Sequence, residues 1–355
     1  MFFNIVAVMA ENTNGKGKIE TNLPLLSIII VNYKSAQLIY NCVQSIYAQN
    51  SKMNFEIIVV DNHSRDRSKE KICNLFPRII WIEMGYNSGF ARANNAGIRK
   101  SKGNVVLLLN ADTLIENNAI ERCLNYFFFS HYIACGVQLL NTDRSPQISG
   151  NFTMTGGLNY LLPLPFLGSF IKSIANIFGV KKPNVPDASG IVEVDWINGA
   201  FLMVRMNAIT KSGLLDEDFF LYAEEAEWCS RLRKNGKLSI YGDINVIHLQ
   251  GETSNETFDS SGKGYTNLFD RKGRQIMLSN LVRIRKEFGV GWFLFILFFY
   301  TLEILIFFMG FLISKIFFSK KYSSQQIKNY AGNVFSIIRL SLKIISGKPY
   351  FYKVL

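Results

Sequence analysis

The 355-residue sequence is poor in charged residues, which make up 19% of it, and in proline, which occurs eight times. Because 48% of the residues are hydrophobic, a disordered or fibrous chain is excluded. The sequence has no repeat period, and this absence argues against a solenoid. At about 150 residues per domain, the length predicts two domains or one domain with a substantial appendage.

The five cysteines are odd in number and widely spaced, and no two of them form a C-x-x-C pair. This pattern predicts neither a disulfide framework nor a zinc site. We therefore expect reduced cysteines in the core of a cytosolic protein. Residues 1–22 are apolar at their start but lack the basic region of a signal peptide, so we interpret them as a loosely ordered leader.

Charge is unevenly distributed along the chain. Residues 1–270 hold 25 basic and 25 acidic side chains, whereas 271–355 hold 14 lysines and arginines against Glu287 and Glu303. Nucleic-acid readers normally carry their basic patch on a folded domain with few long apolar runs. Basic residues interleaved with such runs suit an anionic membrane surface better. The sequence thus predicts a basic, aromatic-rich, membrane-associated helical tail over 271–355 and no nucleic-acid partner.

Within this tail, the largely apolar run 290–314 is long enough to span a bilayer, but Glu303 interrupts it. A charge at the bilayer centre costs roughly 2.5–3.5 kcal/mol. Both flanks are basic, so the positive-inside rule gives no orientation for one crossing. We favour a re-entrant or in-plane helix at the cytoplasmic face of the cell membrane, with a full span as the alternative. A short amphipathic stretch, 334–345, follows.

Three short apolar runs, 27–33, 56–61 and 105–112, end in polar residues. Helical patterns follow the first run and follow Gly89. Strands that alternate with helices predict an α/β fold with a mostly parallel central sheet. The apolar segment 158–178 is interpreted either as an insertion over a cleft or as an ordinary packed helix, and the sequence favours neither.

Ligands of open parallel sheets bind at the carboxyl ends of the strands. Any one polar residue there is an ordinary candidate for a helix cap, but three such ends together favour a binding site in one crevice. The residues at these ends are Asn32, Tyr33, Asp61, Asn62, Asn110 and Asp112.

These segments resemble a known family. The motifs are V-D-N-x-S-x-D-x-S at 60–68, N-x-G-F-A-x-A-N-N-x-G-I at 87–98, L-N-A-D at 109–112, W-x-N-G-A-F-L-M-V-R at 196–205, D-x-x-F-F-x-Y-x-E-E-x-E-x-C-x-R-x-R at 216–233 and H-x-x-G-x-T at 248–253. Together with the first strand, they are similar to the inverting family 2 glycosyltransferases of GT-A fold, in the rhamnosyltransferase-like branch. The resemblance implies a glycosyltransferase domain over 23–270.

The resemblance implies a site for a UDP- or dTDP-linked sugar. Asp61 would accept the ring N–H of uracil or thymine. Asp112, with His248 as a second contact, would hold Mg²⁺ or Mn²⁺ against the diphosphate; a strand-end histidine with structural partners alone is the alternative for His248. Asn87 and Gly89 would let the backbone approach the nucleotide at a helix start, with a plain helix start as the alternative. The implied donor-binding residues are Asn32, Tyr33, Asp61, Asn62, Asn87, Gly89, Asn110 and Asp112.

The resemblance also implies that Glu225 is the general base, which takes the proton from the acceptor hydroxyl. The carboxylates clustered around it are expected to repel one another and to raise at least one pKa. A solvated acidic helix face is the alternative. The residues implied to surround the acceptor are Trp196, Asn198, Gly199, Glu224 and Glu227.

Two residues depart from the family pattern. Asn110 stands where the D-x-D metal motif has its first aspartate, so the site has one negative charge fewer. Glu225 stands where the base is usually an aspartate, and its extra methylene moves the carboxylate by about one bond length.

The sequence therefore predicts an inverting hexosyltransferase that moves one sugar, such as rhamnose, to a lipid-linked or growing cell-surface glycan. A non-catalytic nucleotide-sugar-binding or scaffold protein of glycan assembly is the alternative. A processive synthase is disfavoured because the sequence lacks a Gln-x-x-Arg-Trp motif. The absence of a G-x-G-x-x-G after the first strand argues strongly against a dinucleotide-dependent oxidoreductase.

Overall fold

The computed structural model describes residues 25–49, 51–153, 158–180, 183–249, 255, 257–258, 260, 267–316 and 323–354. The predicted leader, 1–22, and the last two motif residues, Gly251 and Thr253, lie outside the described residues.

Strands and helices alternate through the first half of the chain, as the sequence predicts. The strands of the main sheet are β1 (Leu26–Asn32), β2 (Phe55–Asp61), β3 (Ile80–Glu83), β4 (Val105–Asn110), β5 (Thr113–Leu114), β6 (Ala134–Leu140), β9 (Ile191–Val194), β11 (Phe201–Arg205) and β12 (Leu238–His248). A small second sheet contains β7 (Gly150–Asn151), β8 (Asn184–Val185) and β10 (Trp196–Ile197).

The helices are α1 (Ala36–Tyr47), α2 (Ser68–Leu75), α3 (Gly89–Lys100), α4 (Ala119–Phe128), α5 (Leu167–Ile177), α6 (Met206–Ser212), α7 (Glu224–Leu232), α8 (Arg271–Ile316) and α9 (Ser324–Ser346). A 3₁₀ helix, Leu158–Leu161, precedes α5.

Within the described residues, nine strands form the main sheet in the order β3-β2-β1-β4-β11-β6-β12-β5, and β9 pairs with β12. Strands β1, β2, β3, β4, β6 and β12 run in one direction, and β5, β9 and β11 run against them. The predicted α/β class with a mostly parallel sheet is confirmed.

The central strands are buried on both faces. Ile28 and Ile30 of β1 pack in the core on one side of the sheet, and Ile29 packs in the core on the other side. Helices cover both faces, so these strands are continuous apolar runs instead of alternating ones. All five cysteines lie in the described residues and are free, as predicted, and four of them are buried.

The pairing register lines up the strand ends. Asn32 lies level with Asp61 on β2, and Val31 lies level with Asn110 on β4. The polar residues that end these strands therefore meet at one edge of the sheet, as the sequence predicts.

Helix α8 bends back on itself at Gly289, whose φ of 90° and ψ of 180° only glycine readily adopts. The bend separates a first arm, 271–288, from a second arm, 290–316. The ring centroids of Phe307 and Phe269 are 5.7 Å apart, so the second arm returns along the first. Helix α9 packs on both arms: the Tyr330 hydroxyl donates to the Tyr300 carbonyl at 2.9 Å, and Arg285 donates to the Ile345 carbonyl at 3.0 Å.

Glu303, the charge that interrupts the apolar run, is fully buried. Its carboxylate accepts hydrogen bonds from the backbone N–H groups of Phe166 at 2.6 Å and Leu167 at 3.2 Å, at the start of α5. A carboxylate is favourable there because the helix N-terminus is positive. The segment 158–178 is not an ordinary packed helix, since Gly168 is the one buried residue among the described α5 residues.

Candidate functional site

A cavity of about 450 Å³ opens at the carboxyl end of the sheet. Its walls come from the strand ends, from the starts of α3 and α7, and from the first arm of α8. The site residues predicted from the sequence that line it are Tyr33, Asn62, Asn87, Gly89, Asn110, Asp112, Asn198, Gly199, Glu224, Glu225 and His248.

Asp61 lines a second cavity of about 220 Å³ instead. Its carboxylate accepts hydrogen bonds from Asn32 Nδ2 at 2.9 Å and from Ser64 Oγ at 2.6 Å. The single crevice predicted from the sequence is thus two cavities, and the turn after β2 contributes to both, since Asp61 lines one and Asn62 lines the other. Buried Asn32 lines neither cavity and orients Asp61.

Asn62 fastens the end of β2 to the start of α3. Its Oδ1 accepts from the backbone N–H and the hydroxyl of Ser88, both at 2.7 Å, and its Nδ2 donates to Asn87 Oδ1 at 3.1 Å. Gly89 has a φ of 79°, and a Cβ there would lie 2.3 Å from the Phe220 carbonyl oxygen. The structure therefore explains Gly89 by the close approach of this protein backbone, which the sequence interpretation did not foresee.

His248 and Asp112 are brought together because β12 pairs with β5, which follows Asp112 directly. Gln147 Nε2 donates to the His248 carbonyl at 2.7 Å, so its Oε1 faces His248 Nδ1 at 2.9 Å and makes that nitrogen the protonated one. The lone pair of His248 Nε2 then faces Asp112 Oδ1 at 3.4 Å and the Asn110 amide at 3.4 Å.

This arrangement fits a divalent cation that is shared with a substrate. Among the described residues, no cluster of three or more His, Cys, Asp or Glu side chains could hold a metal by itself. Asp112 and His248 offer one carboxylate and one imidazole nitrogen. Mg²⁺ and ions like it are commonly held by one or two carboxylates together with substrate phosphates. The residues therefore fit such a cation only if a diphosphate completes its coordination.

Glu225 lies in the first turn of α7, and this helix directly follows Tyr222 and Ala223, whose φ angles are positive. Strained backbone of this kind persists where the surroundings hold it in place, and it is common at functional sites. Burial raises the pKa of the Glu225 carboxyl, and the positive charge of Arg283 opposes that rise.

The three clustered carboxylates have different surroundings. Burial, followed by the charge of Glu225, raises the pKa of Glu224 well above its usual range. Among the described atoms, Glu224 Oε2 has no hydrogen-bond partner. Both Glu227 oxygens accept from Arg231 at 2.7 Å. The predicted repulsion is present, but burial is the larger cause, and the alternative of a solvated face is wrong because Glu224 and Glu227 are buried.

Trp196 and Glu227 do not line the large cavity. The Trp196 side chain lies close enough to Glu225 to lower the pKa of that carboxyl. Its indole N–H nevertheless makes no hydrogen bond of normal geometry within the described residues. Both residues therefore lie behind the cavity wall.

Two cations at the site were missed by the sequence interpretation, which assigned them to the tail. Lys272 is only 4% exposed and lines the cavity, and its Nζ donates to Asn255 Oδ1 at 2.8 Å. Arg283 is buried and donates to Glu287 through Nε at 2.6 Å and Nη2 at 3.0 Å. The signal for them is the basic stretch that precedes the apolar run, whose charge the sequence interpretation attributes to lipid binding.

Residues 27–174 match the model described as Glycosyl transferase family 2. The chain carries a family 2 glycosyltransferase domain. The family predicted from the sequence motifs is thereby confirmed, and with it the transferase class and the GT-A type of fold.

The similarity of this glycosyltransferase to known proteins extends beyond the matched domain. The low-salt glycan biosynthesis hexosyltransferase Agl10 of Haloferax volcanii is 28% identical over 338 residues, which cover 93% of this chain and 95% of that protein. The rhamnosyltransferase WbbL of Escherichia coli (strain K12) is 24% identical over 267 residues, which cover 72% and 96%. The solved mannosyltransferase PcManGT of Pyrobaculum calidifontis aligns with a TM-score of 0.47 and 13% identity, over 91% of this chain and 88% of that one.

Proposed function

We propose that this glycosyltransferase is an inverting enzyme that moves one hexose, such as rhamnose, from a UDP- or dTDP-linked donor to a lipid-linked or growing glycan. The observation that carries the proposal is the convergence of Glu225 with Asp112 and His248 on one cavity of about 450 Å³. The relatives named for hexosyl and rhamnosyl transfer in glycan synthesis support this choice of sugar and pathway.

The two cavities divide the donor between them. The base lies in the smaller cavity, where Asp61, oriented by Asn32 and Ser64, accepts the ring N–H of uracil or thymine. The diphosphate and the sugar lie in the larger cavity. The turn 61–63 lies between the two cavities and follows the nucleotide from its base to its phosphates.

Asp112 and His248 would hold a divalent cation, which supplies positive charge to the leaving diphosphate when it is bound. Lys272 contributes a fixed positive charge from another wall of the same cavity. Because Asn110 replaces a carboxylate of the family motif, the protein side of the site carries one negative charge fewer. More of the positive charge of Lys272 therefore acts on the diphosphate, and Lys272 and the cation stabilise the diphosphate together.

Glu225 takes the proton from the acceptor hydroxyl as that oxygen attacks the anomeric carbon. The attack comes from the face opposite to the diphosphate, so the configuration at that carbon inverts. Glu225 suits this role because it borders the cavity and because burial raises its pKa toward the operating pH. Burial and the charge of Glu225 raise the pKa of Glu224 further, which favours its neutral form.

A thermal-shift screen of the full chain with UDP, dTDP and GDP, with and without Mn²⁺, tests the donor site. A ligand at about 100 times its Kd adds about 2.7 kcal/mol of stability, which such a screen detects. We expect stabilisation by UDP or dTDP, a larger effect with Mn²⁺, and none with GDP.

Two variants sharpen this screen. Asp61→Asn should remove the preference for UDP or dTDP over GDP and leave the Mn²⁺ effect in place. Asp112→Asn should remove the Mn²⁺ effect and leave that preference in place. Equal stabilisation of the unmodified chain by all three nucleotides would refute the base site, and no stabilisation by any of them would refute a nucleotide-linked donor.

A further inference from the structure

The second arm of α8 has the composition of a membrane helix without the burial of a core helix. The most apolar 18-residue stretch of α8 has a mean hydropathy of 2.4, yet only 33% of it is buried. One face of the arm packs on the first arm and on α9, so lipid cannot surround it as it surrounds a lone spanning helix. The exposed apolar side chains of the other face are Leu294, Phe295, Phe298, Leu305, Phe308, Met309, Leu312 and Ile313.

Helix α5 and the turn after it expose a second apolar face. Its most exposed members, Ile177 and Phe178, are 80% and 78% exposed, and Phe170, Ile174 and Val180 are exposed with them. Short helices in water are stabilised mainly by packing of an apolar face, and this helix buries only Gly168. Contiguous apolar surface of this kind marks an interaction site.

The two apolar faces belong to one surface because α5 is fastened to the second arm. The buried Glu303 carboxylate accepts from the N–H groups of Phe166 and Leu167. About two turns beyond, the Phe166 ring packs so closely on Gly310 that a Cβ there would lie 2.4 Å from it. The start of α5 is thus held against the arm between residues 303 and 310.

Helix α9 adds a basic border. Lys328, Phe335, Arg339 and Leu342 follow one another at spacings of seven, four and three, so they share one helix face, and all are exposed. Residues 288–355 hold eight lysines and arginines against Glu303 alone. A helix face that mixes cations with large apolar side chains is typical of helices that lie in the interface of an anionic membrane.

We propose that α5, the second arm of α8 and α9 form a one-sided docking surface that enters a single leaflet of an anionic phospholipid bilayer, with α5 as a second inserted element. The basic charge argues against a second copy of the chain as the occupant, since two such surfaces repel each other. The inference rests on the membrane association predicted for the tail, 271–355, and adds the segment 158–180 to it. It does not rest on sugar transfer.

Co-flotation of the full chain with vesicles tests this surface. One vesicle set is phosphatidylcholine, and the other is phosphatidylcholine mixed with phosphatidylglycerol. The α5 variant is Ile177→Glu with Phe178→Glu, and the second-arm variant is Phe298→Glu with Phe308→Glu. The matched control, Leu75→Glu with Phe129→Glu, changes exposed apolar residues of the glycosyltransferase domain.

We expect the mixed vesicles to bind the unmodified chain and the control alike. Each of the other two variants should bind at least about 10-fold more weakly, because inserting one large apolar side chain contributes roughly that factor or more. Nucleotide thermal shifts that match those of the unmodified chain would show that both variants are folded.

Full binding by the α5 variant together with loss in the second-arm variant would overturn the role of α5 and leave the tail as the membrane contact. No flotation of the unmodified chain would overturn both. A lipid-free dimer that the α5 variant dissociates, without flotation, would assign the surface to a second copy and overturn the proposal.

Discussion

The two most apolar regions of this glycosyltransferase use their hydrophobic side chains in opposite ways. Ile29 of β1 and Leu107 of β4 are completely buried between the helical layers. Phe298, in an equally apolar stretch of α8, is 60% exposed. An apolar run thus identifies a buried strand or a helix face, but it does not say whether protein or lipid covers that face.

The two arms of α8 make the same contrast within one helix. The first arm brings Lys272 to the wall of the cavity and places Arg283 near Glu225. The second arm carries the exposed apolar face. A membrane bound by the second arm would therefore be connected to the active site through a continuous packed element that bends at Gly289.

The largest effect should come from the site itself. Glu225→Gln should reduce the rate of transfer by about 10²–10⁴-fold, because it removes the general base while keeping the shape of the side chain. Release of nucleoside diphosphate with a matching acceptor measures this rate.

Glu224→Gln is the matched control. Burial and the neighbouring charge of Glu225 raise the pKa of Glu224 and favour its neutral form, so the amide should preserve most of the activity. If both variants lose activity equally, the division of roles between the two carboxyls is wrong.

The contrast between the two apolar regions predicts the next effect. Leu107→Ala should lower the free energy of unfolding by about 2–5 kcal/mol, since it leaves a cavity in the core. Phe298→Ala should change it by no more than about 0.5 kcal/mol, because the ring is exposed in the absence of lipid. Chemical denaturation in vesicle-free buffer measures both. A large loss in the Phe298 variant would show that this face is covered by protein.

Much of the fold could be predicted from the sequence because the pattern and its cause are local. Strands β1, β2 and β4 are continuous apolar runs that end in polar residues, and parallel pairing brings those ends to one edge. Most of the predicted site residues line one cavity for this reason.

The remaining features depend on contacts between distant segments. Side-chain direction separates Asp61 from Asn62, and it follows from the hydrogen bonds of Asn32 and Ser64. In the sequence, Glu303 is a charge that interrupts an apolar run. Its role is clear only when its hydrogen-bond partners, the backbone N–H groups of residues 166 and 167, are known. Composition alone assigns the basic residues of the first arm to lipid binding, because it cannot tell a buried cation from an exposed one.

Lys272 tests the contrast between the two arms of α8, because the first arm is proposed to contribute this residue to the donor site. Lys272→Met should weaken binding of UDP or dTDP by roughly 10- to 100-fold, because a cation that faces a diphosphate contributes roughly 1.5–3 kcal/mol. Titration calorimetry measures the affinity. Lys100→Met, which removes an exposed lysine at the end of α3, is the matched control and should leave the affinity unchanged. Unchanged binding in the Lys272 variant would show that this residue does not contribute to the donor site and belongs functionally to the tail.

Arg283 and Glu287 should produce the smallest effect, which is a shift in pH dependence. Glu225 acts as a base only after it loses its proton, so activity rises as the pH passes through its pKa. Arg283 favours the charged carboxylate and holds that pKa down against burial. Arg283→Gln should therefore move the acidic limb of the profile of kcat/KM to higher pH.

Glu287→Gln makes the opposite change at the same ion pair. In the unmodified protein, the Glu287 carboxylate accepts both hydrogen bonds from Arg283. Without that negative charge, the charge of Arg283 acts more strongly on Glu225, so the acidic limb of the profile should move to lower pH. A merely structural ion pair would lower the stability in both variants and leave the limb in place. Shifts of opposite sign would instead show that the first arm of α8 tunes the pKa of the base. The segment that follows the sheet would then be part of the active site even though its sequence resembles a membrane tail.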